Sequence, residues 1–222
     1  MSASCIHRTT SGQATRIMPV GVASMMWWST DLEPDGVTSN RCTPSRPVGV
    51  SNALTVIGES GIEAVAVEPI AAALGVTKGS FYWHFRTRRE LVEAALQRWE
   101  HRATVDIIAG LAPIGDPQAR LRALFAIAFL ETPEDRIEDA ILGAVADSSA
   151  TAAVERVNSQ RLGYLVQAFR DIGFPPSVAR RRARISYATL LGHRRLQASL
   201  ATRLSNPAIR QFGDELARAL VD

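Results

Sequence analysis

From about Ser51 to the end of the chain, apolar residues recur at steps of three and four, the period of helices that bury one face. Leu121, Leu124, Phe125, Ala128 and Phe129 form one such face, and Leu162, Leu165, Val166 and Phe169 a second. Ile209, Phe212, Leu216 and Leu220 form a third. Strand-like alternation is nearly absent, and Gly or Pro interrupts the pattern at helix-length intervals. Asp116-Pro117, Thr132-Pro133 and Asn206-Pro207 each place a capping side chain before a proline suited to the first helical turn. Thr87-Arg88-Arg89-Glu90 has capping-box spacing, and Ser177 follows Pro175-Pro176 as a further candidate cap. The pattern predicts an all-α chain of about nine helices, near 51–60, 67–73, 77–84, 87–109, 117–131, 133–147, 150–172, 177–200 and 207–220. Residues 1–47 hold no period, end on the linker-like Thr43-Pro44-Ser45-Arg46-Pro47, and are expected to form a disordered tail.

The stretch from Ser51 to Trp99 carries the chemistry. Its first helix presents Leu54 and Ile57, and Gly61 suits a left-handed helix end. A short helix follows with Val67, Ile70, Ala71 and Leu74 at core spacing, and with Glu68 and Pro69 in its first turn. Leu74-Gly75-Val76 is a tight turn, and Thr77 caps a second short helix, Lys78-Gly79-Ser80-Phe81-Tyr82-Trp83-His84-Phe85. Phe81 and Phe85 stand four apart on one buried face, whereas Thr77, Lys78, Ser80 and Tyr82 lie off it. Two short helices around a glycine turn make a helix-turn-helix. Gly79 permits close approach to a groove, the helix N-terminus favours phosphate, and Tyr82 and His84 are able to donate to phosphate oxygens. Trp83 is equally suited to touching the DNA backbone or packing on the next helix.

The run Leu74 to Phe85, with its glycine turn followed by GSFYWHF, resembles the signature of the TetR (tetracycline-repressor-like) family of transcriptional regulators. The likeness spans roughly residues 52–99. It implies a three-helix DNA-binding head over 48–86 and a helical ligand-binding and dimerisation domain over 87–222, beginning with a linking helix. It further implies a homodimer on a palindromic operator in double-stranded DNA, its last two long helices forming a four-helix bundle. Repression relieved by a small hydrophobic effector is the family's usual mode. By position, the resemblance puts Thr77, Lys78, Gly79 and Ser80 in the major groove. It gives Tyr82, His84 and Arg88 to phosphates. Ala66 stands where the family frequently has threonine, which removes one contact.

Composition changes this picture little. The 222 residues carry a formal charge of +3 and a pI of about 9.3, which permits nucleic-acid binding without requiring it. Lys78 is the sole lysine. Cys5 and Cys42 make no disulfide framework, and with His7 they fit no zinc spacing, so neither metal nor cofactor is expected. The apolar stretch Ile17–Trp28 is too short to span a bilayer, and a cytoplasmic protein is expected. No nucleophile elbow, Walker A, HExxH or Rossmann glycine pattern occurs, so an enzyme is the weaker alternative. A protein-interaction module on a degenerate helix-turn-helix is the other.

Beyond the head, the helix from Thr87 places Leu91, Ala95 and Trp99 on one stripe. Bulky aromatics at Trp99, Phe125, Phe129, Tyr164 and Phe169 are the candidate lining of an effector cavity, with filling of a solid core as the plain alternative. The run Arg180-Arg181-Arg182-Ala183-Arg184 is expected on a solvated helix face or paired with acids such as Asp171 and Glu215.

Overall fold

A computed structural model describes residues 46–221, so the expectations for the tail, Ile17–Trp28 and Cys5/His7/Cys42 lie outside the described residues. The described chain is helical throughout. It runs α1 (Arg46–Ser60), α2 (Val67–Ala73), α3 (Lys78–His84), α4 (Arg88–Glu100), α5 (Ile107–Leu111) and α6 (Pro117–Ala128). It continues through α7 (Pro133–Gly143), α8 (Ser148–Asp171), α9 (Pro176–Ser199) and α10 (Asn206–Val221). A 3-10 turn at Ile62–Ala64 separates α1 from α2. A π-helical turn at His101–Asp106 joins α4 to α5 in one unbroken rod, so the expected single helix near 87–109 is present with its hydrogen-bond register shifted midway.

The expected caps at Thr87 and Asp116 form: Thr87 Oγ1 accepts from the Glu90 N–H at 3.1 Å, and Asp116 Oδ2 from the Ala119 N–H at 2.9 Å. The Thr132 N–H donates to Asp135 Oδ2 at 2.6 Å. Two starts differ from the sequence expectation. Pro176 already occupies the first position of α9, which places Ser177 inside the helix, and α1 begins at Arg46, ahead of 51. First-turn N–H groups have no partner inside a helix, so Pro47 does not bar that earlier start. Gly49 matters here because a Cβ would stand 3.1 Å from Phe85 Cε2. Its absence lets the first turn of α1 lie on Phe81 and Phe85, with the Arg46 guanidinium 5.6 Å from the Phe85 ring centroid.

Two apolar cores result. The first runs without a break from Val50, Leu54, Ile57, Phe81 and Phe85 through Leu91, Leu96 and Trp99 to Ile141 and Val157. It crosses the expected boundary at 86, because α1 packs on both α4 and α7. The α1–α7 crossing is tight: a Cβ on Gly58 would stand 2.9 Å from Ile137 Cγ1. The second core joins α6, α8, α9 and α10 around Leu121, Phe125, Leu165, Phe169, Tyr187 and Val221.

Candidate nucleic-acid interface and sensor region

Gly75 holds the turn between α2 and α3 with φ +66°, a left-handed conformation that side chains disfavour. Three backbone bonds close it: Leu74 N–H to the Ile70 carbonyl, Gly75 N–H to Ala72, and Val76 N–H to Ala71, each at 3.0 Å. Thr77 Oγ1 then accepts from the Ser80 N–H at 3.2 Å and starts α3. On the inner side Phe81 and Phe85 are buried with ring centroids 5.3 Å apart. That anchoring turns the remaining residues outward. Lys78 and Gly79 are exposed, Tyr82 is 44% exposed and Trp83 86% exposed. Trp83 therefore does not pack on α4, which settles the sequence ambiguity as to where its ring lies.

Three cations of this face already have partners. Lys78 Nζ pairs with Glu68 Oε1 across the turn, both groups well exposed, so the pair contributes at most about 1 kcal/mol. Arg89 pairs with Glu93 at 2.7 Å, one helical turn on. Arg88 is tied more firmly. Its Nε–H donates to the Val65 carbonyl at 2.8 Å and its Nη2–H to the Ile62 carbonyl at 2.6 Å, with Glu63 at 3.5 Å. The first residue of α4 thus holds the 3-10 turn of the head. That role is invisible in the sequence, because its acceptors are backbone carbonyls. His84 is half-buried and its Nε2 is shielded from solvent without a partner. Ala66 begins α2 with no side-chain cap.

The five aromatics expected around an effector do not converge. Trp99 lies in the first core, and Phe125 and Phe169 in the second. Tyr164 is half-buried, and burial pushes its hydroxyl pKa up. Phe129 alone of the five lines a cleft of about 840 Å³ between α1, the start of α7 and the C-terminal half of α9. The basic run on α9 is dispersed: Arg182 lies 4.0 Å from the Phe174 ring centroid and donates to the Leu220 carbonyl, while Arg180, Arg181 and Arg184 are exposed.

A buried ionic network lies behind the cleft. Glu138 of α7 is 5% exposed and accepts from Arg161 Nη1 and Nη2 at 2.7 and 3.0 Å. Arg161 also donates to the Ala103 carbonyl at 3.0 Å and to Thr104 Oγ1 at 3.3 Å, which satisfies polar groups at the π-turn. Arg194 binds Asp135 at 2.7 Å and puts its Nη1 3.1 Å from Glu138, without hydrogen-bond alignment. Burial alone would raise the Glu138 pKa, but Arg161 and Arg194 outweigh it and hold the carboxyl below its ordinary value. Burial raises Asp135 despite Arg194, and burial lowers His193. The network leaves a trace in the sequence: Arg161 interrupts the Val157–Leu165 apolar stripe, and Glu138 sits beside Ile137 and Ile141.

Among the described residues no cluster of three or more His, Cys, Asp or Glu is placed to hold a metal, and no helix is long and apolar enough to cross a membrane.

Known proteins share both the head and the fold. Residues 50–95 match the family model for bacterial regulatory proteins of the tetR family. Over 62 residues the chain is 32% identical to the HTH-type transcriptional regulator SrpR of Pseudomonas putida and to the uncharacterized HTH-type regulator TtgW of a strain of the same species. These matches cover 28% of this chain and 29% and 46% of the two relatives, so the chain spans less than half the length of either. A crystal structure of a putative transcriptional regulator from Saccharomonospora viridis, in complex with choline, shares the fold with a TM-score of 0.67 at 18% identity. That superposition covers 78% of this chain and 95% of the other. The glycine turn and the outward-facing α3 thus lie inside the segment that matches the family model for bacterial regulatory proteins of the tetR family, and the helical body behind them shares its fold with the solved structure.

Proposed function

We propose that the chain is a sequence-specific DNA-binding transcriptional regulator that acts as a homodimer, a repressor released from a palindromic operator when a small molecule binds. The exposed side of α3 carries this reading: Lys78, Gly79, Tyr82 and Trp83 face solvent while Phe81 and Phe85 lock the helix to the head. Thr77 to Ser80, at the N-terminal end of α3, are the base-reading candidates; Tyr82, His84 and the free donors of Arg88 are the phosphate candidates. The head comprises α1 to α3, and the body begins at α4.

A homodimer is supported by the outer face of α9. Ile185 and Leu196 are half-exposed there, Ala188 and Gly192 lie between them, and Leu200 and Leu204 extend the stripe. Nothing of the chain lies within 4 Å of a Cβ built on Gly192, so a second helix has room to approach. The choline complex of the structural neighbour supports a small-molecule response in this fold. DNase footprinting on the DNA upstream of the chain's own gene tests the reading. A protected, roughly two-fold-symmetric site with half-sites about 10 bp or a multiple apart is expected; protection of one asymmetric half-site, or none, refutes it.

A further inference from the structure

The cleft bounded by α1, α7 and α9 is lined by two side chains that each leave one buried nitrogen without a partner. Gln197 is 4% exposed, and its Oε1 accepts from the Leu204 N–H at 3.1 Å. That bond fixes the orientation of the amide, so Nε2 is turned the other way, where no acceptor meets it. One helical turn earlier, His193 is 8% exposed, stacked on Phe212 at 5.0 Å and edge-on to Phe129 at 5.4 Å. Its Nε2 is buried and unpartnered as well. Buried polar atoms in folded proteins nearly always have a partner, so two orphan nitrogens one turn apart on one cleft wall ask for a group from outside the chain.

We propose that this cleft is a small-molecule site whose occupant is an uncharged aryl carbonyl compound, its oxygen accepting from Gln197 and His193 and its ring lying against Phe129. The size suits a ligand pocket. The charges favour a neutral guest. Arg102 pairs with Glu134 at 3.1 Å, Arg194 with Asp135 at 2.7 Å, and Arg203 reaches Glu131 at 3.9 Å, so most charges lining the cleft are already answered. Both nitrogens are closed to solvent, so an occupant reaches them by parting α9 from the segment leading into α7. That segment enters α7 at Pro133, and α7 lies hard against α1 at Gly58 and Ile137. Occupancy is thereby delivered to the first helix of the head rather than held inside the body.

As an effector site the cleft rests on the proposed regulator function, but its occupancy is tested independently of it. The probe is benzamide, titrated calorimetrically at millimolar concentration into the full chain. Saturable binding is expected, weakened about five- to tenfold by Gln197→Leu through loss of one hydrogen bond. Ala198→Phe, at an exposed position lining the cleft, is expected to abolish it, with an unchanged circular-dichroism melt showing that the fold survives. Benzoate and benzylammonium are expected to bind more weakly than benzamide. Unsaturable benzamide binding overturns the site, as does binding that both variants retain at full strength. Each sample is also assayed for DNA binding. A chain that binds DNA but not benzamide loses the site and keeps the regulator reading; one that binds benzamide in the variant-dependent pattern but no DNA does the reverse.

Discussion

Replacing Glu138 with Leu is expected to be among the most damaging single substitutions in the body. The carboxylate is 5% exposed and neutralises Arg161 through two hydrogen bonds, with Arg194 at 3.1 Å. Leu at this position leaves the Arg161 guanidinium, itself largely buried, without its counter-charge, while its bonds to Ala103 and Thr104 hold it in place. Breaking one side of a buried pair costs about 3–5 kcal/mol, a large share of the roughly 5–15 kcal/mol that holds a domain folded. Removing both sides is different. With Glu138→Leu and Arg161→Leu together, two desolvated charges go at once, and such exchanges are often neutral or stabilising. The remaining cost in the double variant is the π-turn, whose Ala103 carbonyl loses its donor, about 1–3 kcal/mol. Urea unfolding of the four-member cycle measures the coupling directly. A coupling energy of about 2 kcal/mol or more, with the double variant more stable than Glu138→Leu alone, is expected. A single Glu138→Leu loss under about 1 kcal/mol would refute the inference that the pair is buried and mutually dependent.

Arg88→Ala removes two hydrogen bonds to the 3-10 turn, so its melting temperature should fall before any DNA is added; for the phosphate role, DNA affinity and the salt slope should fall too, by about one unit in slope. Unchanged stability contradicts the structural role, and an unchanged slope contradicts the phosphate role. Gly192→Arg places a charged side chain on the α9 stripe and should convert the proposed dimer to a monomer in sedimentation velocity; a dimer that persists in the variant moves the interface elsewhere. His193 has a lowered pKa in the folded chain, so the unfolded chain takes up its proton first as the pH falls. The stability it contributes is full above its unfolded value near 6.5 and is lost as the pH falls through that value toward the folded one. His193→Leu should therefore lose less melting temperature than the parent between pH 7.5 and 5.5, and an equal loss in both would contradict a lowered pKa.

The helices were legible because their signals are local. The Pro-marked starts at 117 and 133, the glycine turn at 75 and the Phe81/Phe85 pair each act within a few residues, and each appears where the sequence puts it. What escaped depends on distant chain. The early start of α1 is stabilised by Phe81 and Phe85, more than thirty residues away, against a buried Gly49. The π-turn at 101–106 receives its donor from Arg161 on α8. Of the aromatics expected around one cavity, Trp99 lies in one core, Phe125 and Phe169 in the other, and Phe129 at the cleft, because helical period fixes which side of a helix is apolar but not which neighbour covers it. Gln197 and His193 carried no motif; their significance comes from what fails to meet them in three dimensions.

The central claim, that α3 reads DNA, is tested most directly by fluorescence anisotropy with a labelled duplex from upstream of the chain's own gene and a scrambled duplex of equal length and composition. At one salt concentration the native duplex should bind about a thousandfold or more tightly, with the logarithm of affinity falling linearly against the logarithm of salt. Tyr82→Ala and Trp83→Ala, both at exposed positions, should weaken that binding while leaving the melting temperature within a few degrees of the parent. Equal affinity for the two duplexes, or binding unaffected by either substitution, would contradict the account.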